Sequence, residues 1–196
     1  MLNFDIILAS ASPRRKSILS QVGLDFTIEP SKINEDYSIE LLPEAFCEHW
    51  AREKANDVAK SHSDKLIIGA DTIVIIDDKI LGKPKSYKES FAMLKLLSGK
   101  THQVLTGVSL IHLDLGIDFT FSESTDVSFY FLTDEELNKY IDKYKPYDKA
   151  GSYGIQDGFS VYVEKINGCF YNVMGFPISR FHKFYKAIAK GGLLID

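Results

Sequence analysis

Asp71 stands inside LIIGADTIVII (66–76), a run whose apolar content otherwise marks a buried strand. A lone buried carboxylate is costly unless it is paired, bound to a metal, or opened to a cleft. Backbone donors nearby would satisfy it structurally. In a cleft it could instead hold Mg²⁺ or take a proton from an attacking water, with Glu35 as a second carboxylate. ILASASPRRKS (7–17) offers a complementary feature, because it runs into a proline and then Arg14, Arg15 and Lys16. Ser12-Pro13 predicts a helix start at that point. Partial positive charge already gathers at a helix N-terminus, so three cations there either face water or wait for an anion. Open backbone N–H groups and forked guanidinium donors suit phosphate oxygens. Lys54 and the loop lysine of LGKP (81–84), Lys83, could add point charges, although a surface turn is the plain reading of that loop. DKAGSYGIQ (148–156) places Asp148, Lys149, Ser152 and Gln156 among glycines with no helical or strand period, as ligand-holding loops do and plain loops also can. Together these residues suit an anionic, metal-chelated substrate and phosphoryl chemistry, which gains most from positioning and charge stabilisation.

The elements that must carry these residues are readable. Residues 4–9 predict a buried strand, and the Ser12-Pro13 helix should run to about Gln21 and stop at Gly23. Pro43 to about Ser61 predicts a helix with Phe46, Trp50, Ala51, Ala55 and Val58 near one face. The 66–76 strand turns at Asp77-Asp78-Lys79 into a short second strand. SYKESFAMLKLL (86–97) is helical, and HQVLTGVSLIHL and FTFSESTDVSFYFL alternate like antiparallel strands. TDEELNKYIDKY has a Thr cap and an acidic first turn. Residues 159–166 predict a strand, the aromatics of GCFYNVMGFPIS (168–179) a core, and Ile178 to about Ala189 a closing helix. Strands and helices interleave while several strand pairs are hairpin-like, so the sheet should be mixed and the class α/β.

Composition removes other classes. Net charge is −4, from 27 acidic and 23 basic residues, so a broad nucleic-acid surface is not expected and any anion site must be local. MLNFDIILAS has no basic leader and Asp5 interrupts its apolar run, and no stretch approaches the roughly 20 apolar residues of a membrane span. The expectation is a cytoplasmic protein with no membrane partner. Cys47 and Cys169 lack paired spacing, and His49, His62, His102, His112 and His182 lack ligand spacing. SGKT (98–101) imitates the end of a P-loop, but Leu94 stands where its first glycine is needed, and no G-x-G-x-x-G occurs.

LASASPRRKSIL (8–19), REKA (52–55), IGADTIV (68–74), LGKP (81–84), LSGKTHQVLTGV (97–108), DKAGSYGIQ (148–156) and NVMGFPIS (172–179) together resemble the Maf family of nucleoside triphosphate pyrophosphatases, essentially end to end. The resemblance implies a single domain over residues 1–196, two-lobed around an elongated mixed sheet with a central cleft. It implies hydrolysis of a nucleoside triphosphate to monophosphate and pyrophosphate with Mg²⁺ or Mn²⁺, and a homodimer. Asp71 matches the family's proposed proton acceptor. Ser10, Arg14, Arg15 and Lys16 match the phosphate entrance, and Glu35, Lys54 and Lys83 match further polar positions. Arg14, Thr72 and Gln156 match the positions that mark the branch acting on dTTP and UTP, where modified pyrimidine nucleotides are further candidates for clearance. The sister branch, acting on 7-methylguanosine triphosphate, typically lacks the YGIQ ending intact here at 153–156. The non-enzymatic alternative is a regulatory binding module: SPRRK also looks like a basic DNA-contacting or kinase-target peptide, and the resembled family is tied to inhibition of septum formation, but overall acidity argues against a DNA module.

Overall fold

A computed structural model describes residues 2–191. The first strand, β1 (Ile6–Leu8), is buried throughout. It pairs in parallel with β2 (Thr27–Ile28) on one side and with β3 (Leu66–Ile76) on the other, Ile6 opposite Leu66 and Leu8 opposite Ile68. At the far end of β3, Asp77 and Asp78 both take positive φ, and β4 (Lys79–Leu81) returns antiparallel. Next to β3 come β5 (Thr101–His112), β6 (Ile117–Phe129) and β7 (Val163–Asn167), the last antiparallel to β6 with an irregularity at Ser128/Phe129. The sheet therefore has seven strands in the order β2-β1-β3-β5-β6-β7, with β4 off β3, and it is mixed as expected.

The chain divides into two compact units, in agreement with the expected two lobes. The first comprises residues 2–71, 106–123 and 175–191. It holds α1 (Pro13–Gln21), α2 (Pro43–Ala59) and α6 (Ile178–Ala189). Its core joins Ile7, Ala9, Ala55, Val58, Ala59, Ile67 and Ile111. Two glycines set how closely α2 approaches the sheet. A Cβ on Gly69 would lie 2.1 Å from the Ala51 carbonyl oxygen, and one on Gly107 would lie 2.3 Å from that of Cys47. Only hydrogen fits there, so the helix backbone rests almost directly on β3 and β5.

The second unit comprises residues 72–105 and 124–174. It holds α3 (Tyr87–Leu97), capped by Ser86, and α4 (Asp134–Tyr144), where Thr133 and Glu136 form a reciprocal capping box. Leu94, Leu97, Val104, Phe129, Leu137, Ile141 and Phe159 anchor its core. Two expectations need correction here, and one strand was not foreseen. Residues 158–162 form a 3₁₀ helix, not the start of a strand. The Asp157 carboxylate accepts the Phe159 N–H at 3.0 Å, which starts a turn that sinks the Phe159 ring fully into the core. The strand β2 was not anticipated, because two exposed residues carry no alternation to read. In 168–179, Phe176 is fully buried but Phe170 and Tyr171 are exposed on α5 (Phe170–Val173), a single turn too short to bury both faces.

Candidate active site

The close seat of α2 places its one inward-reaching cation. Gly69 and Asp71 lie two residues apart on β3 and so share the face against which α2 rests. Lys54, one turn along from the Ala51 contact, reaches that face. Its Nζ donates to Asp71 Oδ1 at 2.6 Å and lies 2.6 Å from Glu35 Oε1. Asp71 is 4% exposed, and its other oxygen, Oδ2, is buried with no hydrogen-bond partner among the described residues. The apolar strand expectation and the outlier carboxylate thus coincide in one place. A buried ion pair offsets part of the desolvation of both groups, but the unpartnered lone pairs of Oδ2 remain costly.

The cations of the first helix separate in the structure. Arg15 turns inward and is 9% exposed. Its Nε donates to the Gly175 carbonyl at 2.9 Å and one terminal nitrogen donates to Ser10 Oγ at 3.0 Å. Burial pushes its guanidinium down from its ordinary value, while the Asp71 carboxylate, and more weakly that of Glu35, oppose the shift. So part of the anion that the three cations call for is built into the chain. Arg14 is half-buried and Lys16 exposed, and Ser12 caps the helix through the Arg15 N–H. Ser10, Arg15, Glu35, Lys54 and Asp71 therefore come together in the first unit. Thr72, half-buried, and Lys83 and Gln156, both exposed, belong to the second.

Two participants went unread in the sequence. The Tyr37 hydroxyl donates to Glu35 Oε2 at 3.1 Å while its ring lies 5.3 Å from that of Phe46. Although 45% of Tyr37 is exposed, its hydroxyl is desolvated, which raises it well above its usual range, with the Glu35 and Asp71 charges adding to the shift. An aromatic two residues after a candidate acid was the available signal. The Gly175 carbonyl, 160 residues from Arg15, had none. Cys47 is no nucleophile. Burial first, and then the Asp71 charge, push its thiol up, and its Sγ donates to the Glu44 carbonyl.

The donor set can be weighed against a divalent cation. Among the described residues no group of three metal-binding side chains of the His, Cys, Asp and Glu type exists. Asp71 and Glu35 supply two hard carboxylates facing one ammonium, and Asp71 Oδ2 is buried without a partner. Mg²⁺ and Mn²⁺ sites commonly use one or two carboxylates with waters and substrate phosphates completing the shell, and the pair fits that pattern.

Comparison with known proteins matches the chain to a family. The profile of the Maf-like protein family matches residues 5–188, through both units. A dTTP/UTP pyrophosphatase of Bacillus pumilus is 47% identical over 175 residues, 89% of this chain and 92% of the relative. One of Bacillus cereus is 48% identical over 175 residues, with 89% and 85% covered. Among solved structures, a HAM1 protein from Coxiella burnetii aligns with TM-score 0.47 and 15% identity over 65% of this chain and 73% of that one. A nucleoside-triphosphatase / dITP/XTP pyrophosphatase from Mycobacterium abscessus aligns with TM-score 0.46 and 12% identity over 98% and 100%. With a family match over nearly all of its length and relatives nearly half identical, the chain belongs to the Maf-like protein family.

Proposed function

We propose that this protein hydrolyses nucleoside triphosphates, dTTP and UTP foremost, to the monophosphate and pyrophosphate, and that both units act as one domain. The observation that carries the reading is Asp71: buried, held by Lys54 through one oxygen, with the other oxygen without a hydrogen-bond partner among the described residues. The names of the relatives agree with it. Asp71 Oδ2 takes a proton from the attacking water, whose oxygen bonds to the α-phosphorus as the bridging bond to the β-phosphate breaks and pyrophosphate leaves. Lys54 keeps Asp71 oriented through the hydrogen bond from its Nζ to Oδ1. Arg15, fixed by Ser10 and Gly175, contributes positive potential from within. Arg14, Lys16 and Lys83 serve the phosphates, and Arg14, Thr72 and Gln156 select the base. A divalent cation on Asp71 and Glu35 would neutralise phosphate charge during the reaction. The reading carries with it a cytoplasmic homodimer with no stable nucleic-acid partner, which sedimentation and cell fractionation check.

The test is pyrophosphate release from a panel of triphosphates with Mg²⁺ or Mn²⁺, run on wild type and Asp71→Asn together. Release from UTP and dTTP that vanishes in the variant is expected. Selective release from 7-methylguanosine triphosphate would keep the family and overturn the pyrimidine preference. No release from any nucleotide would overturn the reaction.

A further inference from the structure

The loop 148–157 in the second unit is held against its own backbone preferences. Gly151 and Ser152 take φ of 64° and 66° in succession, and a serine in the left-handed region is strained. A Cβ on Gly151 would come 2.9 Å from Val74 Cγ2, so no side chain fits there. Four polar tethers override the strain. The Gly151 N–H donates to the Gly82 carbonyl at 3.1 Å, beside Lys83. Ser152 Oγ lies 2.5 Å from Ser90 Oγ on α3, both residues fully buried. The Tyr153 hydroxyl lies 2.8 Å from His102 Nε2 at the start of β5. The Gly154 N–H donates to the Tyr140 hydroxyl, which donates to Asp157. Beyond the last tether but one, Gln156 emerges exposed.

One tether is expensive. His102 is 2% exposed, stacks edge-on against Phe129 and Tyr153, and has Nδ1 buried without a hydrogen-bond partner among the described residues. Burial pushes its imidazolium pKa down to about 3, so the ring is neutral and cannot serve as an acid at working pH. An apolar side chain would fill this place without an unsatisfied nitrogen. A costly polar pair under a strained loop is the pattern of a conformation retained for use.

We propose that Ser90–Ser152 and His102–Tyr153 are positioning pairs that set the loop so that Gln156 and Lys83 are presented in one fixed arrangement, and thereby determine which nucleotide base is accepted. The proposal rests on the pyrophosphatase reading above. None of the four touches the reacting atoms; they act through the loop.

The test uses Ser152→Gly, which relieves the positive φ and removes the hydroxyl, and the double variant His102→Leu/Tyr153→Phe, which removes both partners of the second pair at once. Both are expected to melt close to wild type. Amide exchange at Gly151 and Gly154 should quicken by about tenfold or more, as local opening becomes easier. The UTP KM should rise more than kcat falls, and the UTP-to-CTP ratio of kcat/KM should drop about tenfold, as uniform binding energy and base discrimination are lost together. Exchange and selectivity that both stay within about twofold of wild type would overturn the proposal. So would a parallel loss on UTP and CTP accompanied by a large fall in Tm, which is what a purely structural role predicts. A wild-type protein that releases no pyrophosphate would refute the reaction reading instead. That result is told apart because the exchange of Gly151 and Gly154 is read without turnover.

Discussion

Asp71 and Tyr153 are each buried, each hydrogen-bonded through a side chain, and each placed next to a glycine-dependent close approach, yet their surroundings differ in kind. Around Asp71 the partners are charged: Lys54, Arg15 and Glu35. Around Tyr153 they are neutral: His102 at 2.8 Å and the rings of Phe129 and Phe159. Asp71 and Lys54 ride on a strand and a helix pressed together by Gly69, so their geometry comes from regular elements. Tyr153 rides on a loop that needs tethers to keep its shape. Charge on rigid elements suits a step where a proton moves, because preorganised electrostatics act without rearrangement. Neutral tethers suit the holding of a recognition loop, where directional bonds matter more than field strength.

The contrast breaks most sharply at Asp71. Asp71→Asn keeps the volume and removes the charge, so Lys54 loses its anchor on that side and the water loses its proton acceptor. A loss of about 10²- to 10⁴-fold in kcat/KM is expected, the range of a missing general base, with circular dichroism unchanged. Steady-state pyrophosphate release checks it, and turnover within tenfold of wild type would remove Asp71 from the chemistry. No tether variant in the second unit should approach that loss.

Gly69→Ala tests whether the charged cluster depends on the backbone seat. The new methyl would meet the Ala51 oxygen, the Ala55 N–H and the Ala55 Cβ, two of them main-chain atoms that cannot swing aside. Overpacking costs roughly 1–3 kcal/mol and sometimes more, and a backbone clash belongs at the top of that range. Urea unfolding should show it. Any folded fraction should lose activity too, because α2 carries Lys54 away from Asp71 when it lifts.

Acid separates the two regions next. His102 is neutral in the fold down to about pH 3 but protonates near 6.5 once unfolded. The unfolded chain therefore binds the extra proton first, and stability falls as pH drops below 6.5, until about pH 3. At 1.36 kcal/mol per pH unit the penalty from this residue is roughly 2 kcal/mol at pH 5. In His102→Leu/Tyr153→Phe the gap between urea stabilities at pH 7 and pH 5 should shrink by that amount. An unchanged gap would mean that the ring charges inside the fold.

Much of this was legible in advance, and what was not has physical reasons. Helix caps at Ser12 and Thr133 and the turn at Asp77-Asp78 are local signals, and the elements they bound follow them closely. Asp71 was visible because a carboxylate in an apolar strand breaks the period. The inward turn of Arg15 was not, since it depends on a carbonyl at Gly175 that only tertiary folding supplies. The 3₁₀ turn at 158–162 was hidden because FSVYVEKI has the β-branched and aromatic content of a strand, and the overriding bond from Asp157 leaves no compositional mark. His102 read as an ordinary scattered histidine, because burial, not spacing, makes it unusual.

The smallest expected effect sharpens the comparison at its edge, where the charged cluster uses a neutral donor of the kind that dominates the other unit. Tyr37→Phe removes only the hydroxyl that donates to Glu35 Oε2 and leaves the ring against Phe46. A hydrogen bond to a charged acceptor contributes about 1.5–3 kcal/mol when buried, and Tyr37 is only partly buried, so about 1 kcal/mol is expected. That corresponds to a fall of about fivefold in kcat/KM. Because Glu35 also contacts Lys54, the loss should disappear in a Lys54→Met background, where Glu35 is already released. A double-mutant cycle on kcat/KM reads the coupling directly. Additive losses would show that Tyr37 acts apart from the carboxylate pair, and Glu35 would then belong with the exposed loop around it, not with Asp71.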